Sequence, residues 1–294
     1  MSTPNATLAL DRSRLQDYVT LLKPELTLLS SVTAVAGYLL GVQGLEGGGI
    51  AHTALGTFLT GGACGALNQY LEREQDALMR RTANRPLPAR RIAPAEALLL
   101  GLLLAAAGIT ELWVFLGPLP GFLAVVTLAV YLLAYTPLKK VTAAATLVGG
   151  IPGALPPVIG WAAARQSLGP EALLLFALLF FWQMPHFFSL AWIYRKDYAR
   201  AGYALLSTRD EEGRRTADAA VIFAGALFGL PLLFPAAGLG GGIQVIGGLL
   251  LGAGFLAAAI GFRAARTSAA ARRVFFLSLF YLPAVLFLLL TTRF

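Results

Sequence analysis

Nine stretches of roughly 20 predominantly apolar residues constrain this chain more than any other feature. They lie near 26 to 43, 50 to 70, 94 to 116, 119 to 138, 144 to 164, 170 to 193, 217 to 236, 242 to 262 and 273 to 291. A run of that length crosses the hydrocarbon of a bilayer as a helix, and in lipid only helices or closed barrels satisfy every backbone N–H and C=O. The runs are continuous rather than alternating, which excludes the strands of a barrel. With 57% hydrophobic and 13% charged residues among 294, the composition is far from that of a water-soluble domain. The expected fold is all-α: a polytopic membrane bundle of about nine transmembrane helices, one domain over 1–294, with 1–25 as a segment ahead of the first span.

Charge sets the orientation. If the spans alternate, all but Arg165 and Arg293 of the 23 Lys and Arg residues fall on the face of the N-terminus. That bias makes the N-terminus and the loops after spans two, four, six and eight cytoplasmic. The N-terminal segment mixes Asp11, Asp17 and Glu25 with Arg12, Arg14 and Lys23 and has no apolar core, so it fits neither a signal peptide nor an acid-poor transit peptide. A bacterial cytoplasmic membrane is the expected location. The single cysteine, Cys64, has no partner for a disulfide, a thiolate metal site or a redox pair. Nothing points to nucleic acid, because this much arginine follows from topology alone.

Two runs carry chemistry. The first closes span two, from Asn68-Gln69-Tyr70-Leu71-Glu72 through Glu74 and Asp76 to Arg81-Thr82-Ala83-Asn84-Arg85-Pro86. On a helix, Asn68, Glu72 and Asp76 recur at i, i+4 and i+8 and form one stripe of oxygens, while Glu74 points across. Like charges one turn apart repel, so the stripe makes sense around a cation. Oxygen donors suit Mg²⁺, which is commonly held by one or two carboxylates plus substrate phosphates. The stripe spans about 12 Å, so adjacent pairs rather than all three would share an ion. The bland alternative is a solvated helix end paired with nearby arginines.

The second run closes span six: Trp182-Gln183-Met184-Pro185-His186-Phe187, then Tyr194-Arg195-Lys196-Asp197-Tyr198. Asp197 falls on the same side of the membrane as the stripe. Pro185 removes an i+4 donor and is expected to bend the helix and open room beside His186. Eleven residues separate His186 from Asp197, three turns, which places them on one face about 16 Å apart. His186 is one of only two histidines and a candidate ligand or substrate-positioning group. Its competing role is an internal hydrogen bond with Gln183 or Ser189. Span four ends Tyr135-Thr136-Pro137-Leu138-Lys139, a phenol and an ammonium at the same mouth. Span five, with Pro152, Pro156, Pro157 and four glycines between Gly149 and Gly160, reads as a broken helix forming a pocket wall or a close packing surface.

From Asn68 to Arg91, Tyr135 to Trp161 and Trp182 to Ser207, the chain resembles the UbiA superfamily of intramembrane prenyltransferases, and within it the branch that farnesylates heme. That resemblance implies transfer of farnesyl from farnesyl diphosphate to a vinyl group of heme B, with addition of water, giving heme O and diphosphate. It also implies Mg²⁺ as cofactor and a heme A synthase as partner. By the same resemblance Asn68, Glu72, Asp76 and Asp197 hold Mg²⁺ and diphosphate, Lys139, Arg81 and Arg85 neutralise it, and Tyr135 and Tyr194 lie near the reactive end. With heme B as the implied substrate, His186 is the candidate axial ligand or heme-positioning group, and Gln183 and Arg195, flanking it, complete the substrate-binding candidates. The chain departs from the wider superfamily at Glu72, where Asp is usual, and at Ala201, where a further acid stands.

Two other readings remain open at this point. A related enzyme could act on a quinone precursor or chlorophyll-type acceptor, against which the Pro185-His186-Phe187 run argues. A transporter could also use acids and prolines in its spans, but its sites would lie near the midplane rather than at one mouth.

Overall fold

The computed structural model describes residues 14–42 and 47–292. Arg12 and Arg293 of the charge pattern, and Asp11, lie outside them. The described residues form helices α1 (Arg14–Leu21), α2 (Pro24–Gly41), α3 (Gly47–Leu71), α4 (Arg73–Leu78), α5 (Pro94–Leu116), α6 (Pro118–Leu138), α7 (Ala145–Ala154), α8 (Pro156–Arg165), α9 (Pro170–Ile193), α10 (Arg195–Arg200), α11 (Arg214–Leu233), α12 (Gly242–Ala265) and α13 (Ser268–Leu290). No strand occurs among the described residues.

Seven helical segments are long and apolar enough to cross a membrane, α7 and α8 together counting as one, and the pair α1–α2, bent by 45°, makes an eighth. The ninth expected span, α3, is not apolar enough to be counted with them. It is a 25-residue helix that buries Thr53, Thr57, Thr60, Asn68 and Gln69 against its neighbours. Those polar groups lower its hydropathy, and its packing on α2 and α5 removes them from lipid. Proline or glycine marks most boundaries: Pro24, Pro94, Pro118 and Pro170 open helices at the first turn, where the missing N–H costs nothing.

The helices close into a ring. α2 packs on α3 and α8, α3 on α5, α5 on α6, α7 and α11 on α9, α11 on α12, α12 on α13, and α13 returns to α9 and α2. Backbones touch where α2 crosses α8. A Cβ on Gly37 would stand 2.0 Å from the Pro157 carbonyl oxygen, and one on Gly160 would stand 1.8 Å from that of Ala34. Span five is indeed broken, at Leu155 between α7 and α8, so its prolines serve both the wall and the close packing.

The shared helical face expected for His186 and Asp197 fails. Helix α9 runs through Pro185, from Pro170 to Ile193, and ends at Tyr194 (φ −100°, ψ 16°). Asp197 therefore sits on the separate helix α10, and the helical register that aligned it with His186 does not carry across. Residues 14–21, expected only as part of a leading segment, form α1, tied to α5 by Arg14 Nη2 to Glu96 Oε1 at 2.9 Å and Tyr18 Oη to Glu96 Oε2 at 2.6 Å.

Candidate active site

The ring encloses a chamber of about 360 Å³, lined from α2, α3, α6, α7, α8, α9 and α13 and reaching from Lys23 and Tyr198 at one end to Thr33, Ile159 and Leu282. Most of its wall is apolar, with a row of hydroxyls from Thr27, Ser30, Thr33, Thr57 and Thr60 on the α2–α3 side. Charged groups gather at the mouth.

The stripe at that mouth is helical across the boundary between α3 and α4: Glu72 N donates to Asn68 O at 2.9 Å and Asp76 N to Glu72 O at 2.8 Å. Asn68, Glu72 and Asp76 retain 2, 4 and 1% of their exposure, whereas the Glu74 side chain is 79% exposed. Each member of the stripe meets a cation from elsewhere in the chain. Lys23 Nζ donates to Asn68 Oδ1 at 2.9 Å, Lys139 Nζ contacts Glu72 Oε1, and Arg85 Nη1 lies 2.8 Å from Asp76 Oδ2. Asn68 Nδ2 reaches Thr136 Oγ1 at 3.4 Å, joining α3 to α6. Lys139 and Arg85 thus pair with the two carboxylates, while the Lys23 amine bonds the neutral Asn68 amide.

Burying ion pairs adds little net stability over apolar packing, so this array is not what a bundle needs to fold. Lys139 also lies over the Tyr135 ring, 4.6 Å from its centre, and over Tyr203 at 5.3 Å. Burial pulls its ammonium down, but Tyr135 and Glu72 outweigh it and hold Lys139 above the ordinary lysine range. The backbone of α6 passes through a π-helical turn at Val130–Tyr135, which aims Tyr131 and Tyr135 into the chamber.

The second acidic run is arranged differently. Asp197 pairs with Arg200 on its own short helix at 3.1 Å. Among the described residues Glu72, Asp76 and Asp197 do not converge on one point as a metal cluster would. The two runs are joined instead through Arg81, whose guanidinium lies 5.2 Å from the Tyr194 ring centre, 5.9 Å from that of Tyr198 and 3.5 Å from the Tyr198 hydroxyl. Arg195 turns away, over Trp192 at 4.1 Å and donating to the Trp192 carbonyl. It lines a separate surface cleft with Lys196, Ser207 and Asp210.

His186 lines the chamber, as does Gln183. Neither Gln183 nor Ser189 takes the imidazole: Gln183 Nε2 donates to Gly150 O, Ser189 Oγ donates to the His186 carbonyl, and His186 Nδ1 lies 2.7 Å from Ser278 Oγ on α13. Four mouth and wall residues have no site role in the linear reading: Lys23, Thr136, Tyr203 and Ser278. Lys23, at the end of a basic leading segment, looks like topology until it is seen bonded to Asn68. Tyr203 is buried, and burial together with Glu72 and Asp76 pushes its phenol well above the ordinary tyrosine range.

A ring of membrane helices around an apolar chamber, with a cation-rich and carboxylate-bearing mouth, defines an intramembrane enzyme of the prenyltransferase class. The chain belongs to the UbiA prenyltransferase family, whose model matches residues 30–280. It is 42% identical over 289 residues to a protoheme IX farnesyltransferase of Solibacter usitatus, covering 95% of this chain and 99% of that one. It is 43% identical over 284 residues to one of Salinibacter ruber, with the same coverage. Among solved structures, the fold is similar to a UbiA homolog from Aeropyrum pernix K1 (TM-score 0.74, 21% identity, 92% of this chain and 99% of that one). It is also similar to a UbiA homolog from Archaeoglobus fulgidus bound to DMAPP and Mg²⁺ (TM-score 0.65, 13% identity, 93% and 99%).

Proposed function

We propose that the chain transfers farnesyl from farnesyl diphosphate to a vinyl group of heme B, with addition of water, giving heme O and diphosphate. The observation that carries this reading is the position of the buried, cation-paired stripe at the mouth of an apolar chamber whose wall bears His186. Identity of about two in five residues to protoheme IX farnesyltransferases over nearly the whole chain supports the same reading.

The residues fit Mg²⁺. Asn68, Glu72 and Asp76 supply only oxygen, two of them anionic, and their spacing offers adjacent pairs rather than a closed cage, as an ion that also binds phosphate requires. When bound there, Mg²⁺ would screen the diphosphate and favour its departure. The protein's own groups do the rest. Lys139, Arg85 and Lys23 stand where diphosphate charge would lie, and Arg81, held between the two runs, adds a fourth basic group. Preorganised charge of this kind stabilises the leaving group as the allylic C–O bond breaks. Tyr135 and Tyr131 face the chamber just inside the mouth, beside the expected position of the allylic carbon. The apolar wall receives the farnesyl chain and keeps bulk water from the cation until the vinyl carbon has attacked. His186 places the heme, with Gln183 on the same wall. Asp197, paired with Arg200 on the neighbouring helix, would meet the diphosphate only through a bound Mg²⁺ and is not part of the stripe. Tyr194 positions Arg81, while Arg195 lies on the outer face of this arrangement.

The chain is a multi-pass membrane protein. Its setting is the inner membrane of a bacterium, with the charged mouth on the cytoplasmic side by the bias of its basic loops. A heme A synthase that takes up the product is the partner this implies. The test is expression in a membrane that lacks its own heme O, followed by heme extraction and mass measurement. A heme heavier by one farnesyl group and one hydroxyl is expected; unmodified heme B from a folded, membrane-inserted protein overturns the reading. Cysteines placed in the loops at 72 to 93 and 194 to 216 should resist labelling from outside intact cells.

A further inference from the structure

Ser278 belongs to none of the sequence runs that suggested chemistry, yet it makes two bonds to the run that holds His186. It is fully buried on α13. Its backbone carbonyl accepts Trp182 Nε1–H at 2.7 Å, and its side-chain oxygen lies 2.7 Å from His186 Nδ1. The same hydroxyl lies 2.5 Å from the Phe275 carbonyl oxygen.

These distances decide the protonation of the imidazole. A serine hydroxyl has one proton and a carbonyl oxygen has none, so the short contact to Phe275 O requires that Ser278 donate there. Its oxygen then has only lone pairs left for His186, and Nδ1 must carry the proton and donate. The neutral ring is therefore the Nδ1–H tautomer, and Nε2 keeps its lone pair. The ring cannot easily turn over. It lies between Trp182, with ring centres 5.6 Å apart and planes at 26°, and Phe275, at 4.8 Å and 30°. A histidine that ligates a metal is typically oriented in this way, by an acceptor on its other ring nitrogen.

We propose that Ser278 is a positioning residue, which holds His186 in the Nδ1–H tautomer so that Nε2 serves as axial ligand to the iron of heme B. This rests on the reading of heme B as the acceptor substrate. It assigns the iron to the α9–α13 side of the chamber and makes α13 part of acceptor selection.

Substitution can isolate the hydroxyl, because the Trp182 bond goes to the Ser278 backbone and survives Ser278→Ala. The full chain in nanodiscs is titrated with ferrous heme B, and the iron–histidine stretch is followed by resonance Raman alongside heme affinity and the mass of the product. Wild-type protein should show the iron–histidine band, and His186→Ala should lose it. Ser278→Ala should shift the band and weaken heme binding roughly 10- to 100-fold, the usual effect of removing the group that orients a ligating histidine. Ser278→Cys, close in size but a weaker acceptor, should shift the band in the same direction and covers the case in which the alanine variant fails to fold. An unchanged band and affinity in both variants overturns the proposal. Wild-type protein that makes heme O without an iron–histidine band overturns it too, leaving the reaction intact. Wild-type protein that makes no heme O from farnesyl diphosphate and heme B overturns the reaction instead.

Discussion

The two acidic runs close the same mouth but are built on opposite principles. In the first, Glu72 and Asp76 are buried, Glu72 compensated by Lys139 at the end of α6, far away in the chain, and Asp76 by Arg85 from the loop before α5, nine residues on. In the second, Asp197 is compensated by Arg200, three residues on, at a partly exposed helix end. A local pair forms wherever a short helix forms and says little about purpose. A buried carboxylate that needs a distant lysine or arginine costs desolvation, which folding alone gives no reason to accept. The first run is therefore the one arranged around charge that arrives from outside.

The largest effect is expected for Asp76→Asn and Glu72→Gln, which remove a charged oxygen from the stripe. Heme O formation should fall roughly 10²- to 10³-fold, the size typical of losing one preorganised charge-stabilising group. Binding of farnesyl diphosphate should become insensitive to Mg²⁺, measured by calorimetry. Near-normal activity in either variant would dissolve the contrast between the runs.

Next comes Lys139→Met, which leaves Glu72 buried without its cation. Activity should drop about 10- to 100-fold, in line with hydrogen bonds to charged groups, and thermal unfolding in detergent should come earlier. An unchanged melting temperature would mean that Glu72 is not compensated by Lys139 in the membrane. Asp197→Asn should be smaller, below about fivefold, if its pairing with Arg200 is as weak as exposed pairs usually are. A loss equal to that of Asp76→Asn would show that Asp197 leaves Arg200 to join the diphosphate site when substrate binds. Glu74→Gln should be the mildest, within about twofold, as for an exposed side chain without a buried partner. Equal losses at 72, 74 and 76 with folding intact would remove the one-face description altogether.

The spans were readable because lipid imposes length and apolarity on any helix that faces it. Most predicted limits differ from the observed helices by only a few residues. The exception in kind is α3, whose Thr53, Thr57 and Thr60 make it too polar to be counted by composition, although a predicted run covered it. The break in span five was readable because Pro156 and Pro157 leave backbone carbonyls without donors. Pro185 has the same local chemistry, yet α9 continues through it, packed between α7, α11 and α13. Proline weakens a helix locally, and the neighbours decide whether it parts. The stripe Asn68–Glu72–Asp76 was readable because its spacing is a property of one helix.

Residue order by itself determined the all-helical membrane fold, the face shared by Asn68, Glu72 and Asp76, and the family to which the chain belongs. It did so because helix periodicity and transfer into lipid act over ranges of only a few to twenty residues. Only the tertiary structure decided which cation meets which acid, that Lys23 belongs to the mouth, that Arg195 turns outward, and that His186 bonds Ser278, 92 residues away. Such pairings depend on how the helices pack around one chamber. A buried charge or imidazole takes whatever partner that packing brings within about 3 Å, however distant in the chain.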